Sequence, residues 1–232
     1  MKWLLACQCS PVSCELRERL IARGHDAWTC DVLPASDGSR QHIQSDAVEV
    51  AYDPCCRWDA MLAMPECRFL SSSGQHRTGK PGQRTQSDVE AAVAFFMKLV
   101  KAPIRRRAIE NSVGIMSSRY RKPDQIVHPY LFGDDASKTT CLWLFDLPPL
   151  LRTRYIRPRW WCKSCKAIIP TALLPVCESP LCTICNGKLL PRWANQTNSG
   201  QNRLPPSPDR SAKRAQTYPG IMLAIDSQWG SI

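Results

Sequence analysis

The chain has 232 residues and a formal net charge of +11, from 31 Lys and Arg against 20 Asp and Glu. This length fits one domain of ordinary size with a small appendage, and no apolar run is long enough to span a bilayer, so we expect no membrane association. The segment from Met1 to Cys7 has a shorter apolar stretch than a secretory signal requires. We therefore expect a cytoplasmic protein with reduced thiols.

The first third of the chain alternates strand and helix patterns. The run from Lys2 to Cys7 predicts a strand, and Ser10-Pro11 then supplies an N-cap and a proline at the first helical position. We expect that helix to end at Gly24, and residues Ala27 to Cys30 predict a second strand closed by Asp31. An acid in this position is typical of the nucleotide-binding half of a doubly wound sheet, although the glycine fingerprint is missing.

The middle of the chain continues the alternation. Ser87 and Glu90 form the pattern of a capping box at the start of a helix with an apolar face. Three further strands are predicted, at Trp58 to Met64, Arg107 to Ile109, and Thr140 to Leu144. The first runs into Pro65-Glu66-Cys67-Arg68, and the second ends at Glu110-Asn111. Because ligands bind at the carboxyl ends of strands in an open α/β sheet, Asp31, Cys67 and Glu110 are candidate site residues.

Four of the thirteen cysteines form two Cys-x-x-Cys pairs, and their spacing is typical of a zinc ribbon. The four are Cys162, Cys165, Cys182 and Cys185. Cys177 is an alternative to Cys182 as the third ligand. A pair of disulfides is the other interpretation, but disulfides need an oxidising compartment. We predict a structural zinc ion, which would supply the folding free energy of a segment too small to fold alone.

The positive charge is concentrated in two segments. Seven basic residues and one acid lie from Lys101 to Lys122, and six basic residues with no acid lie from Arg152 to Lys166. The second segment contains Trp160-Trp161 and leads into the cysteine pairs. A single basic run is most often a solvated surface, but basic side chains interleaved with aromatics can also contact phosphates and stack on bases. We predict a nucleic acid partner, bound in part by Arg152, Arg154, Arg157 and Arg159.

Short motifs along almost the whole chain resemble those of the cytosine-5 DNA methyltransferases, and in particular the compact versions found in bacteriophages and prophages. Their order and spacing are more specific than any single motif. The motifs are the first strand and turn, the acid after strand two, Ser45-Asp46, Pro65-Glu66-Cys67, Ala108-Ile109-Glu110-Asn111, Phe132-Gly133, Lys138 and Thr140 before Leu142-Trp143-Leu144, Asn195-Gln196-Thr197, Ser199-Gly200-Gln201-Asn202, Tyr218-Pro219-Gly220-Ile221 and Gln228-Trp229-Gly230.

The resemblance implies a DNA-modifying transferase that acts on a flipped-out cytosine. Carbon 5 of cytosine accepts a methyl group only after a nucleophile adds at carbon 6, and Cys67 is the candidate thiolate. Glu110 would hold a proton at N3, and Asn111 would help to position the loop or the base edge. Arg68 and Lys138 would contact the DNA, and the segment from Ser71 to Arg84 would be a loop that closes over the base.

The resemblance also implies S-adenosylmethionine as the methyl donor. Its site would consist of the turn Gln8, Cys9 and Ser10, of Asp31 at the ribose and Asp46 at the adenine, and of Pro65. This turn lacks the usual glycine, and Glu66 replaces the proline expected before the nucleophile. A second interpretation is therefore a catalytically degenerate homologue that still binds DNA. A third, an unrelated zinc-ribbon protein, leaves the motifs of Cys67 and Glu110 unexplained.

The predicted fold is a doubly wound, mostly parallel α/β sheet like that of S-adenosylmethionine-dependent methyltransferases, with a small zinc-ribbon insert. Residues 1–151 would form the catalytic core, and residues 152–214 would form the zinc-ribbon target-recognition insert with a polar linker. A final helix within 215–232 would return to pack beside the first strand. We expect the gene to be carried by a phage or prophage in a bacterial host.

Overall fold

A computed structural model gives two compact units. The first comprises Met1–Val127, Thr139–Leu151 and Ala215–Ile232, and the second comprises His128–Lys138 and Arg152–Arg214. Within these ranges the structure describes residues 1–73, 78–79, 84–171, 180–207, 210–215 and 217–232. Among these residues, no helix combines the length and apolarity that a membrane crossing requires.

The first unit contains a seven-stranded sheet in the order β3-β2-β1-β4-β5-β7-β6. β7 runs antiparallel to both β5 and β6, and the other neighbours are parallel. The order reverses between β1 and β4, and β4 is the central strand of the sheet. The strands are β1 Lys2–Ala6, β2 Asp26–Asp31, β3 His42–Gln44, β4 Ala60–Ala63, β5 Arg106–Ser112, β6 Gln125–Val127 and β7 Thr140–Phe145. This is the predicted doubly wound, mostly parallel sheet.

Helices connect the strands of this unit. The predicted start of α1 is confirmed, because Ser10 is its N-cap and Pro11 its first residue, and Gly24 follows its C-cap with a left-handed φ of 86°. The carboxyl-terminal helix α6 packs against α1, where Arg23 Nε donates to Asp226 Oδ1 at 2.6 Å. The helices are α1 Pro11–Ala22, α2 Ala47–Tyr52, α3 Gln86–Val100, α4 Met116–Arg119 and α6 Pro219–Trp229.

The core of the first unit lies around the central strands. Every residue of β4 is buried, as is expected of a strand covered on both faces. Trp143 on β7 is fully buried and meets Phe96 of α3 edge to face, with ring centroids 5.1 Å apart. Burial of side chains of this size contributes about 1.5–3 kcal/mol each. The apolar face predicted for α3 is therefore confirmed as a core face.

Two local predictions are wrong. The capping box of α3 is formed by Thr85 and Asp88, and Ser87 and Glu90 lie inside the helix. Thr85 Oγ1 accepts from the Asp88 backbone N–H at 3.1 Å, and the Asp88 carboxylate accepts from the Thr85 N–H at 2.7 Å. Secondly, β5 does not end at Glu110-Asn111 but continues to Ser112, because Ser112 also pairs with β7. The short strands β3 and β6 were not predicted.

The second unit contains a three-stranded antiparallel sheet in the order β10-β8-β9. The strands are β8 Arg159–Cys162, β9 Ile168–Ile169 and β10 Leu189–Arg192, and this unit also contains a 3-10 helix, Pro129–Leu131, and α5 Arg210–Ala215. Tyr130 stacks on Trp193 with ring centroids 4.1 Å apart. Asn195 exchanges two hydrogen bonds with the backbone of Ser137, at 2.9 and 3.0 Å. These contacts hold the 128–138 segment to the end of β10.

Candidate functional site

The candidate site of the first unit lies where the strand order reverses. The carboxyl ends of β1 and β4 are neighbours in the sheet, with Ala6 beside Ala63. A crevice outside the carboxyl ends at such a point is the usual ligand site of an open α/β sheet. The turn after β1 and the loop after β4 therefore both face the position where a ligand is expected.

The turn after β1 adopts a left-handed conformation without glycine. Cys7 has φ of 59°, the region that glycine occupies most easily. Gln8 donates its backbone N–H to the Cys30 carbonyl at 2.8 Å, so the turn remains paired to β2. Cys9 is half-buried, and Ser10 caps α1. Cys7 thus adopts the backbone conformation that a glycine would supply, but it carries a side chain that a glycine lacks.

The two acids predicted for the cofactor lie beside this turn. Asp31 ends β2, and Asp46 caps α2 through a 2.7 Å bond from Val48 N to its Oδ1. Burial raises the pKa of the Cys7 thiol, and the negative charges of Asp31 and Asp46 raise it further. Burial and Asp31 likewise raise the pKa of Cys9. The structure therefore brings the turn and both acids together, with neutral thiols between them.

This arrangement fits the donor and acceptor groups of S-adenosylmethionine. Two carboxylates at neighbouring strand ends can accept hydrogen bonds from ribose hydroxyls and from the adenine amine. Val32 and Leu33 follow Asp31 and are 66% and 59% exposed, so apolar surface is available next to the acids. The Asp31 carboxylate is oriented by a 3.0 Å bond from the Leu33 N–H.

Cys67 lies in a tight turn after β4. The backbone N–H groups of Leu70 and Ser71 both donate to the Cys67 carbonyl oxygen, at 3.1 and 2.8 Å. Pro65 is buried, Glu66 is exposed and Cys67 is partly exposed. The thiol is thus on a backbone fixed by two hydrogen bonds and remains within reach of solvent.

The neighbouring strand β5 supplies Glu110 and Asn111. Both are buried, at 8% and 1% exposure. Asn111 Nδ2 donates to the Pro65 carbonyl oxygen at 2.8 Å. Arg105, just before β5, pairs with Asp146, and Arg107, within the strand, donates to the carbonyls of Val100 and Ile104. Asn111 therefore joins the strand containing Glu110 to the loop containing Cys67.

The loops after β4 and β5 are also joined directly. Ser72 N donates to the Val113 carbonyl and Ile115 N donates to the Leu70 carbonyl, both at 3.0 Å. Gly114 lies between them, and a Cβ placed there would be 1.9 Å from the Leu70 oxygen. Only glycine permits this approach, because no real Cβ contact is that short. Gly114 is a site residue that the sequence analysis missed.

Arg84 supports the same loop from the start of α3 and was also not predicted. The residue is only 7% exposed, and its Nη1 donates to the Arg68 carbonyl at 2.9 Å. Its Nε donates to Thr78 Oγ1 at 2.7 Å. Most of the predicted closing loop, residues 74–77 and 80–83, lies outside the described residues. Arg68 itself lies over the Phe69 ring, with its side chain exposed.

An open cleft adjoins the Cys67 loop. It is lined on one side by Pro65, Glu66 and Phe69 and on the other by α3. The lining residues of α3 are Asp88, Ala91, Ala92 and Phe95. The wall of α3 thus combines two small apolar side chains with an aromatic ring and a carboxylate.

In the second unit, the four predicted cysteines form a cluster that can hold a metal ion. The Sγ atoms of Cys162, Cys165, Cys182 and Cys185 all lie within 4.8 Å of one another. Two pairs are 3.5 and 3.6 Å apart, too long for a disulfide, in which the sulfurs are about 2.05 Å apart. Thiolates around zinc at about 2.3 Å are separated by about 3.8 Å. The cluster therefore fits zinc.

The two cysteine pairs have the same backbone geometry. The N–H groups of Lys166 and Asn186 donate to the carbonyls of Cys162 and Cys182, and both residues have left-handed φ values of 66° and 58°. A Cβ on Gly187 would lie 2.6 Å from Ser164 Oγ and 3.2 Å from Cys162 Sγ. Gly187 therefore lets the second pair approach the first, which sequence spacing alone did not indicate.

Neighbouring thiols of the cluster shift one another's pKa values in opposite directions. The backbone N–H of Ala167 acts to lower the pKa of Cys165, but burial and hydrogen bonds with the other three thiols outweigh it and raise the pKa to about 12. Burial acts to raise the pKa of the Cys162 thiol, but the backbone N–H of Cys165 and the thiol of Cys185 outweigh it and lower the pKa to about 6. The thiolate is the form that binds a metal. Cys177, the alternative ligand, lies outside the described residues.

The predicted nucleic-acid contacts of the second unit lie on its surface. Arg152, Arg154, Arg157 and Arg159 are all exposed, and none takes part in an ion pair within the described part of the chain. Lys138 is half-buried and takes part in an interaction within the chain. The four arginines are therefore available to an anionic partner.

Comparison with known proteins gives little further information. No family model matches the sequence, and no curated protein matches it. One similar solved structure is a candidate DNA modification methyltransferase encoded within a prophage of E. coli, at 14% identity over 62% of this chain and a TM-score of 0.39. The chain spans 45% of the length of that structure. A similarity this low supports no inference about activity, so any assignment of function rests on the geometry of the site.

Proposed function

We propose that the protein is a DNA cytosine-5 methyltransferase in which Cys67 is the nucleophile. The observation that best supports this is the connection between the loops after β4 and β5, through Gly114 and the Asn111–Pro65 hydrogen bond. It holds a partly exposed thiol next to a strand that contains a buried carboxyl group. A thiol and a carboxyl group are the two groups that addition to a cytosine ring requires.

The chemistry of this constellation proceeds in two stages. The Cys67 thiolate adds to carbon 6 while Glu110 donates a hydrogen bond or proton to N3, so the electron pair of the 5,6 double bond becomes available at carbon 5. The turn after β1, Asp31 and Asp46 would hold S-adenosylmethionine, which would supply the methyl group to carbon 5 and leave as S-adenosylhomocysteine. A base then removes the proton of carbon 5, and elimination releases the Cys67 thiolate. Asn111 positions the loop through Pro65.

The target cytosine must leave the duplex, because its 5,6 bond is stacked between neighbouring base pairs. The cleft between the Cys67 loop and α3 is the proposed receptor for the extruded base. The second unit, with zinc bound by its four cysteines, would contact the flanking DNA through the exposed arginines from 152 to 159.

Two observations favour a second candidate, a DNA-binding protein without catalysis. Cys7 stands where a glycine would let the backbone approach the cofactor, and Glu66 places an acid beside Cys67. Binding of S-adenosylmethionine separates the two candidates. The enzyme should bind it, as measured by calorimetry, and Asp31→Ala should weaken that binding about tenfold or more, since a charged hydrogen bond contributes about 1.5–3 kcal/mol. A protein that binds DNA but not the cofactor would support the second candidate.

The catalytic proposal is tested by trapping. DNA with 5-fluorocytosine at the target should form a stable adduct with the protein in the presence of S-adenosylmethionine, because the fluorine cannot leave carbon 5 as a proton does. Cys67→Ser should abolish the adduct, while Cys55→Ser, an exposed cysteine before β4, should leave it unchanged. An adduct that survives Cys67→Ser would place the nucleophile elsewhere.

A further inference from the structure

A small pocket on the second unit joins three arginines that are far apart in the sequence. Arg159 begins β8, Arg192 ends β10, and Arg203 follows the turn at 197–201. Trp161 lines the same pocket. Only Arg159 belongs to the basic segment recognised in the sequence, so the pocket is a product of the fold.

Arg192 is held firmly in this pocket. Its Nε donates to the Asn198 carbonyl and its Nη1 to the Pro191 carbonyl, both at 2.7 Å. Its guanidinium lies over the Trp161 ring at 5.7 Å, and Lys166 lies over the same ring at 5.2 Å. Because two cations already lie over the ring, the indole orients the cations and is not a stacking platform for a base.

Gly200 allows the turn to close over Arg192. It has a left-handed φ of 90°, and a Cβ there would be 3.3 Å from Arg192 Cζ and Nη2. Arg203 is exposed, and its Nη2 donates to the Gln196 carbonyl at 2.9 Å. The guanidinium groups of Arg192 and Arg203 thus donate to backbone carbonyls, which orient them without neutralising their charge.

The charges in the pocket are uncompensated within the described residues. Arg159 and Arg192 are directly opposite each other in the antiparallel β8–β10 pair, an arrangement in which like charges are destabilising. No ion pair with a carboxylate involves Arg159, Arg192 or Arg203 in the part of the chain that the structure describes. Burial lowers the pKa of Arg192, as expected for a guanidinium removed from water without an acidic partner. An anion between these side chains would relieve the repulsion and the desolvation cost together.

We propose that this pocket binds a backbone phosphate of the nucleic acid, with Arg159, Arg192 and Arg203 as donors and Trp161 as their support. Guanidinium groups suit phosphate because their paired N–H donors match its oxygens. The segment 152–214 has twelve Lys and Arg against two acids, so a polyanionic partner is favoured over a small neutral one. This inference rests on the proposed DNA partner and not on catalysis.

The test measures duplex DNA binding by the full chain at several salt concentrations. Arg203→Gln should lower the salt dependence by about one unit of log affinity per log salt and weaken binding about tenfold. Arg192→Lys retains the charge but loses the fork of donors, so it should weaken binding while leaving the slope nearly unchanged. Lys101→Gln, which removes one charge from the first unit at the end of α3, should have the smaller effect.

Zinc content confirms that the second unit of each arginine variant is folded, since the pocket shares β8 with the cysteine cluster. A zinc-loaded Arg203→Gln protein with unchanged affinity and slope would overturn the proposal. An arginine variant that binds inorganic phosphate less tightly than the wild type, but binds DNA with the same affinity, would also overturn the proposal. Because the measurement needs no S-adenosylmethionine and no adduct, a failure of the catalytic proposal would leave its result unaffected.

Discussion

Asn111 on β5 donates a 2.8 Å hydrogen bond to the carbonyl oxygen of Pro65 on the loop after β4. The two residues are 46 positions apart, and the parallel register that pairs Ala63 with Ile109 brings them together. Both are buried, so the carbonyl has no access to bulk water if the amide is removed. One side chain therefore fixes the geometry between the candidate nucleophile and the candidate acid.

Removal of this hydrogen bond is expected to affect stability and chemistry together. Asn111→Ala leaves a buried carbonyl unsatisfied, which should lower the free energy of unfolding by about 1–3 kcal/mol. Urea denaturation measures the change. Gln44→Ala is the matched control, since its amide bond to the Val32 carbonyl is exposed. An equal effect of both substitutions would show that the Asn111 bond has no special role.

Gly114 gives a purely steric test of the joined loops. Ala at this position would place its Cβ 1.9 Å from the Leu70 oxygen, so the strand-like pairing of Ser71 with Gly114 must separate. Gly38→Ala is the control, because nothing lies within 4 Å of its added Cβ, and the cost is only that of a left-handed φ of 66°, about 1–2 kcal/mol.

We expect Gly114→Ala to destabilise the protein by more than Gly38→Ala and to abolish the 5-fluorocytosine adduct while Gly38→Ala retains it. Thermal unfolding and adduct yield are the two measurements. A Gly114→Ala protein with normal stability would mean that the loops are not held as closely as this geometry indicates.

An ion pair between a buried arginine and a partly exposed aspartate, beside the proposed cofactor site, predicts a dependence of stability on pH. The Arg17 side chain is fully buried and contacts Glu18, Thr29 and Asp37, so it joins α1, β2 and the loop after β2. Burial acts to raise the pKa of Asp37, but the Ser39 N–H and the Arg17 guanidinium outweigh it and hold the pKa below its usual value. The ionised form of Asp37 is therefore the one that stabilises the fold.

Because the pKa of Asp37 is depressed in the folded state, its contribution is complete above its unfolded pKa of about 3.9 and is lost as the pH falls below that value. Asp37→Asn should lower the free energy of unfolding at neutral pH by about 1 kcal/mol, since its carboxylate is 36% exposed and solvent screens its charge. The difference from the wild type should shrink near pH ~3. Glu15→Gln, which breaks an exposed i,i+4 pair with Arg19, should cost no more than about 0.5 kcal/mol. A difference for Asp37→Asn that does not change with pH would contradict this assignment.

The features that the sequence predicts well are local ones. Ser10 and Pro11 mark the start of α1 through the adjacent backbone, and two Cys-x-x-Cys pairs define a metal site within short turns. The capping box of α3 shows the limit of such signals, because Thr85–Asp88 and Ser87–Glu90 have the same spacing. The two pairs differ in where the helix begins, at Gln86 in the structure, and the spacing of the residues does not fix that position.

The support of the candidate site could not be predicted, because it depends on long-range contacts. Gly114 and Gly187 each resemble an ordinary turn glycine in the sequence. Their roles follow from the approach of the Leu70 carbonyl and of the Cys162 sulfur, which only the folded chain brings near. Arg192 likewise becomes part of a basic pocket only through its pairing with Arg159.

The identity of the metal ligands gives the last prediction. The structure places Cys182 within 3.6 Å of Cys165, on the same turn as Cys185, and the turn is closed by a 2.8 Å bond from the Asn186 N–H to the Cys182 carbonyl. Cys182 is buried, as expected for a ligand that faces the interior of the cluster. Cys182→Ser should therefore lose the bound zinc, and Cys177→Ser should retain one zinc per chain.

Elemental analysis of the purified full chain measures the zinc content of both variants. Chelation of the wild type should have the same effect as Cys182→Ser and should unfold the ribbon, because the small cluster of Ile169 and Leu189 with the cysteines has too little apolar area to fold alone. The near-ultraviolet signal of Trp160 and Trp161, which lie on β8 next to Cys162, should change with zinc loss. If Cys177→Ser loses the metal and Cys182→Ser keeps it, then the ligand assignment is wrong and the second turn must bind zinc in another conformation.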